Sequence, residues 1–196
     1  MGLSIYYSGM FNPKASLSEM IDEVKDIAET EGWKHRVFEN EFPAKALSKK
    51  AIDEQVYGIL FSPPGSEPVT LCFLSNGELC NPFLYDFWLK DKKSKKEFVT
   101  QGSFTKTQYA GATIHIKVIK LLRYLSEKYF SKFNLTDDGK YWETGDEKLL
   151  RTTFKEWGEL IDGFADALET LEPKKGETTE DAILRAAKKV HKRRKK

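Results

Sequence analysis

The sequence predicts an α+β fold: a single domain of mostly antiparallel sheet packed by two or three helices, with a basic C-terminal tail. Three observations lead there. A β-rich opening segment runs directly into a capped amphipathic helix. The middle of the chain reads as short strands punctuated by turn residues, and two long amphipathic helices then close the body.

Leu3–Phe11 is rich in β-formers and Asn12-Pro13 stops it. Ser16 opens a helix, with Glu19 completing a capping box. Leu17, Met20, Ile21, Val24 and Ile27 recur at helical spacing, and Gly32 marks the stop. Trp33–Phe42 reads as a second strand ended by Pro43, whereas residues 44–54 are polar and ambiguous. Val56–Ser62 and Val69–Ser75 read as paired strands, joined through Pro63-Pro64-Gly65. The aromatic stretch Phe83–Trp88 is either a ligand or partner surface or, as is commoner, core, where the alternating faces of a strand would absorb most of the rings. A lysine-rich turn, Lys90 to Lys96, precedes a short strand at Glu97–Phe104.

The first long helix is expected from Gln108 to Lys132, with Ile114, Val118, Leu121, Leu122, Leu125 and Tyr129 on one stripe. A turn and strand at Leu135–Trp142 follow. The second long helix is expected from Gly145 to Leu171, opened by a capping box of Thr144 and Glu147. Pro173 and Gly176 mark the boundary between a globular domain, 1–172, and a flexible tail, 173–196, with a short helix at Thr178–Val190.

Charge divides sharply along the chain. Lys174 to Lys196 holds ten Lys or Arg against three acids, a surplus of +7. The whole chain is only +2, so residues 1–173 carry a net −5. Such a tail points to phosphates or an acidic surface. At 40% hydrophobic and 13% aromatic, the 196 residues can bury one sizeable core. The opening MGLSIYYSGMFNP lacks the marks of a signal peptide, and no long apolar run suggests a membrane span. A cytoplasmic location without membrane attachment is the expectation.

Cys72 and Cys80 flank Asn76-Gly77, the signature of a two-residue hairpin turn. That register pairs Ser75 with Glu78, putting the sulfurs on opposite faces where they cannot bridge. Both are expected to be reduced structural thiols.

His115 is the histidine placed for catalysis, beside a buried stripe near its helix start. Lys106, Thr107 and Gly111 cluster at the helix N-terminus and suggest an anion pocket. Glu143 and Asp146 are the candidate acid/base partners of His115. The bland alternative makes Thr107 a helix cap, Gly111 a packing aid and the acids turn or dipole residues. An EF-hand register over Asn134–Gly145 puts glycine where a bidentate carboxylate is required, which rejects it. Phosphate-loop, dinucleotide, serine-elbow and zinc-protease motifs are all missing, so no cofactor or metal is expected.

Leu150, Phe154, Trp157, Ile161, Phe164 and Leu168 follow steps of four and three, a seam that serves either the chain's own core or a homodimer. In the tail, Lys188, Lys189, Lys192, Arg193, Arg194, Lys195 and Lys196 make a dense cationic end, beside a narrow stripe of Ile183, Ala186 or Ala187, and Val190. It carries no base-reading geometry, so binding to nucleic acid would be sequence-tolerant and steeply salt-dependent. A solvated appendage is the competing account. The resulting expectation is a non-enzymatic binding or interaction module, with an unidentified protein or a polyanion as partner. The alternative is a small enzyme with an anion-binding cleft using His115, Glu143 and Asp146.

Overall fold

A computed structural model describes residues 2–48, 52–90, 102–170 and 176–194. The fold is α+β, with two antiparallel sheets and helices. Its elements in order are β1 (Ser4–Phe11), α1 (Leu17–Thr30), β2 (Lys34–Val37), β3 (Tyr57–Ser62), β4 (Val69–Phe73), β5 (Leu79–Cys80) and α2 (Pro82–Lys90). Then come β6 (Ser103–Lys106), α3 (Gly111–Tyr129), β7 (Phe130–Asp137), α4 (Tyr141–Thr144), α5 (Glu147–Glu169) and α6 (Thr179–Arg194). The described residues pack as two compact units that divide between Leu150 and Arg151, inside α5.

The first unit holds both sheets, ordered β6-β1-β7 and β2-β3-β4-β5. A bridge between Met10 and Glu78 links them, beside a register shift between Met10 and Phe11. The Tyr7 side chain ties them further. Its hydroxyl donates to the Thr70 carbonyl (3.1 Å) and accepts from the Thr70 N–H (2.8 Å). A buried polar group is tolerated when paired in this way. Rings of Tyr57, Phe42, Phe11, Phe73 and Phe130 touch in succession, and Trp33 stacks on Phe61 with centroids 5.5 Å apart. The helix α1 starts as its sequence requires, with Ser16 Oγ accepting from the Glu19 N–H at 3.3 Å. It buries Leu17, Met20, Ile21, Val24 and Ala28 and ends before Gly32 at φ +67°.

Several elements differ from expectation, each for a local reason. Pro82–Lys90 is a helix and not a strand. Asn81 Oδ1 accepts from the N–H groups of Phe83 (3.0 Å) and Leu84 (3.3 Å), and Pro82 takes the first helical position, where its missing N–H costs nothing. The strand expected at Leu135–Trp142 runs instead as β7 and stops at Asp137, whose carboxylate turns the chain into α4. The cap of α5 is Asp146, not Thr144: its Oδ1 accepts from Lys148 and Leu149 N–H groups, both at 2.9 Å. The expected strand at Glu97–Phe104 lies outside the described residues up to 101, and β6 begins at Ser103.

The hairpin between β4 and β5 also shifts by one. Leu74 N–H donates to the Glu78 carbonyl, leaving a three-residue loop with Gly77 at φ +84°. Cys72 therefore faces Cys80 directly across the ladder, on the same side of the sheet. Both are buried free thiols. Burial, with Glu78 nearby, pushes Cys80 up to about 12, so neither sulfur is an activated nucleophile.

In the second unit, Ala167 of α5 and Ala186 of α6 are buried against each other, with Leu160 and Phe164 packed on them. The buried stripe of α6 is thus Ala182 and Ala186, while Ile183 is 42% exposed. Small side chains let the two helices approach closely, and Ile183 falls one position off that line. Thr178 caps α6 by accepting from the Asp181 N–H at 3.2 Å. The helix runs past the expected Val190 to Arg194.

Candidate functional site

Three side chains from separate segments meet in the first unit. Thr107 follows β6, His115 lies in the second turn of α3, and Asp137 ends β7. Thr107 Oγ1 lies 2.7 Å from His115 Nδ1, and Asp137 Oδ1 lies 3.0 Å from His115 Nε2. The carboxylate also accepts backbone N–H groups of Gly139 (2.7 Å), Tyr141 (2.8 Å) and Trp142 (3.1 Å). An ionised carboxylate only accepts, so this oxygen suits a ring N–H. The Thr107 hydroxyl also lies 3.5 Å from the Leu3 carbonyl oxygen.

The connectivity of hydroxyl, imidazole and carboxylate is that of a nucleophile, base and orienting acid. Access decides against such a use. Thr107, His115 and Asp137 are each 0% exposed. No substrate reaches them in this arrangement, and the bonds instead clamp α3 to the ends of β6 and β7.

Asp137 gives this clamp a pH dependence. Burial raises its carboxyl, but His115 and the N–H groups of Trp142 and Gly139 outweigh that and hold it below the usual range. A depressed native carboxyl stabilises the fold fully above the unfolded value, about 3.9, and this contribution fades as pH falls through the native value. Urea unfolding from pH 7 to pH 3 should therefore show wild type losing its advantage over Asp137→Asn only below about pH 4. A gap that stayed constant to pH 3 would refute the assignment.

The other expected partners lie elsewhere. Glu143 Oε1 is 3.5 Å from the Asp137 N–H, and Asp146 caps α5. Neither meets His115, whose carboxylate partner is Asp137. Lys106 holds its ammonium 5.7 Å from the Tyr109 ring centroid. Thr107 is spent on His115, so α3 starts at Ala110 without a side-chain cap. Gly111 has φ +80° with open space where a side chain would project, so it serves the backbone turn and not close packing.

On the seam of α5, Leu150 is buried beside Gly139 in the first unit, and Phe164 packs toward α6. Phe154, Trp157 and Ile161 are half-buried and Leu168 is exposed. The chain's own packing thus uses part of the expected dimer face. In the tail, Lys188 is exposed on α6, and Lys189, Lys192, Arg193 and Arg194 continue the same helix. Lys195 and Lys196 lie outside the described residues, as does Leu171.

Grooves of ligand-sized volume among the described residues include one of about 610 Å³ beside Arg36, Glu54 and Asp86 and one of about 580 Å³ beside Ser16 and Lys45. Neither is lined by His115. Among the described residues, no group of three or more His, Cys, Asp or Glu is placed to hold a metal, and no helix is long and apolar enough to cross a membrane. No family model, curated protein or solved structure matches the chain.

Sequence reasoning missed two features. Asp137 was hidden because Asp-Asp-Gly reads as an ordinary turn, and only β7 ending there brings it to His115. The second is the outer face of β1. Its alternation puts Tyr6 between buried Ile5 and Tyr7, a signal visible in principle but indistinguishable from a covered sheet.

Proposed function

We propose that this protein is a non-enzymatic binding module whose basic C-terminal helix makes loose contact with nucleic acid or another polyanion. The observation that carries this reading is the form of the basic end. Lys188, Lys189, Lys192 and Arg193 sit on a helix whose buried side, Ala182 and Ala186, is already occupied. Positions four apart on a helix share one face, and the sequence places Lys188 and Lys192, and Lys189 and Arg193, at that spacing. A cationic ridge of this kind releases condensed counterions when it meets phosphates, and it reads no sequence. The sealed state of His115 favours this module over the enzyme reading, which needs that ring to reach solvent.

The test compares the full chain with a Lys188→Gln/Lys189→Gln/Lys192→Gln/Arg193→Gln variant, on a labelled random-sequence duplex and on heparin. Wild-type binding should weaken steeply with salt. The variant should bind at least roughly tenfold more weakly at low salt, with a salt slope shallower by about 2–4. Equal affinity and slope would sink the proposal.

A further inference from the structure

The sheet β6-β1-β7 has one face turned inward and one left open. Ile5 and Tyr7 of β1 are buried, whereas Tyr6 between them is 48% exposed. Alternation then assigns the outward positions of the neighbouring strands. Phe104 stands directly opposite Tyr6 on β6 and is 44% exposed, and Thr136 stands opposite it on β7. The next row pairs Ser8 with Asn134, and the one after pairs Met10 with Lys132. Tyr6 and Phe104 form a tilted ring pair with centroids 6.3 Å apart.

The apolar surface continues past the strand edge. A cleft of about 220 Å³ lies beside Phe104, walled by Pro68, Phe83 and Leu84. Phe83 is 56% exposed. Single exposed rings are ordinary, but rings linked across two strands and onto a helix make a contiguous patch, which marks a binding surface.

The composition of the face says what it fits. The outward positions of the three strands hold two lysines, Lys106 and Lys132, and no Asp or Glu; Asp138, just past β7 beside Ser4, has its carboxylate accept the Ser4 N–H at 3.1 Å. The nearest carboxylate at that edge, Glu67, already accepts the Lys106 backbone N–H at 3.0 Å. A protein interface core is depleted in lysine, so a second copy is the poorer match. Flat rings, flanking ammonium groups and short polar side chains at Ser8, Asn134 and Thr136 instead suit unpaired bases. Their π-faces stack on aromatic rings, their edges bond to hydroxyl and amide groups, and their phosphates meet lysines. Duplex nucleic acid hides those faces.

We infer that the open face of β6-β1-β7 stacks the bases of single-stranded nucleic acid on Tyr6 and Phe104. This rests on the polyanion reading above and names the polyanion. The basic helix supplies non-specific attraction, and the sheet face supplies the preference for unpaired strands.

Anisotropy titrations of the full chain with a labelled dT20 strand and a labelled 20-base-pair duplex test it. Wild type should prefer the single strand. Tyr6→Ala/Phe104→Ala should weaken binding to dT20 by roughly tenfold or more while leaving the duplex titration unchanged. Tyr6→Phe keeps the ring and should bind like wild type. Lys132→Glu, at an exposed position, should also weaken dT20 binding and gives a reading that does not depend on the aromatic variant folding. The inference falls if dT20 binds the double variant and Lys132→Glu as tightly as wild type. It falls equally if wild type shows no preference for the single strand, or if the double variant abolishes a concentration-dependent dimer instead. In each case duplex binding lost in the α6 variant would leave the tail reading standing. Absence of binding to either nucleic acid and to heparin would remove both.

Discussion

Asp137→Ala should lower stability by about 3 kcal/mol or more, because several donors lose one buried carboxylate acceptor and each stranded buried donor costs about 1–3 kcal/mol. The carboxylate accepts N–H groups of Gly139, Tyr141 and Trp142 and sits against His115 Nε2, all within the first unit. Alanine strands those donors without water to replace the lost acceptor. For a chain of this size the melting temperature should drop on the order of 10 °C. Asp146→Ala is the matched control, since it deletes an exposed cap worth about 1 kcal/mol. Thermal unfolding of both variants followed by circular dichroism distinguishes them. A change for Asp137→Ala no larger than that for Asp146→Ala would show that the Thr107–His115–Asp137 clamp contributes little.

Gly58→Ala should be comparably severe, for a steric reason. Gly58 is the second residue of β3 and has φ +119°, a conformation that L side chains rarely adopt, and an added Cβ would run into the Leu71 carbonyl of β4. Neither strand can yield without breaking its register, because Ile59 and Leu71 are fully buried. The cost should be about 3 kcal/mol or more, combining backbone strain with the clash. Gly32→Ala separates the two contributions. That position has φ +67° but nothing within reach of a new Cβ, so it should lose only about 1 kcal/mol. Denaturant midpoints of the two variants measure the difference, and near-equal values would contradict the steric argument.

Much of the fold was legible because the signals are local. Ser16 and Glu19 specify the start of α1, and the periodic stripe from Ile114 to Tyr129 specifies α3. The strand pairs across Pro63-Pro64-Gly65 follow from β-rich runs on either side of a turn. The failures were also local, where two signals competed. At Pro82 the aromatic composition favoured strand, but Asn81 supplied a cap and proline a ready first turn, so a helix formed. At Asn76-Gly77 a two-residue loop and a three-residue loop both suit the sequence. Which one forms decides whether Cys72 and Cys80 share a face.

Charge division, the α+β class, most helix positions and the candidacy of His115 follow from the sequence by itself, since each depends on residues within a few turns of one another. The partner of His115, the sealing of its ring and the open aromatic face do not. His115 meets a carboxylate 22 positions away, and Tyr6 finds Phe104 across 98 positions of chain. Such pairings depend on strand order and register, which are selected by burial summed over the whole core and not by any local pattern.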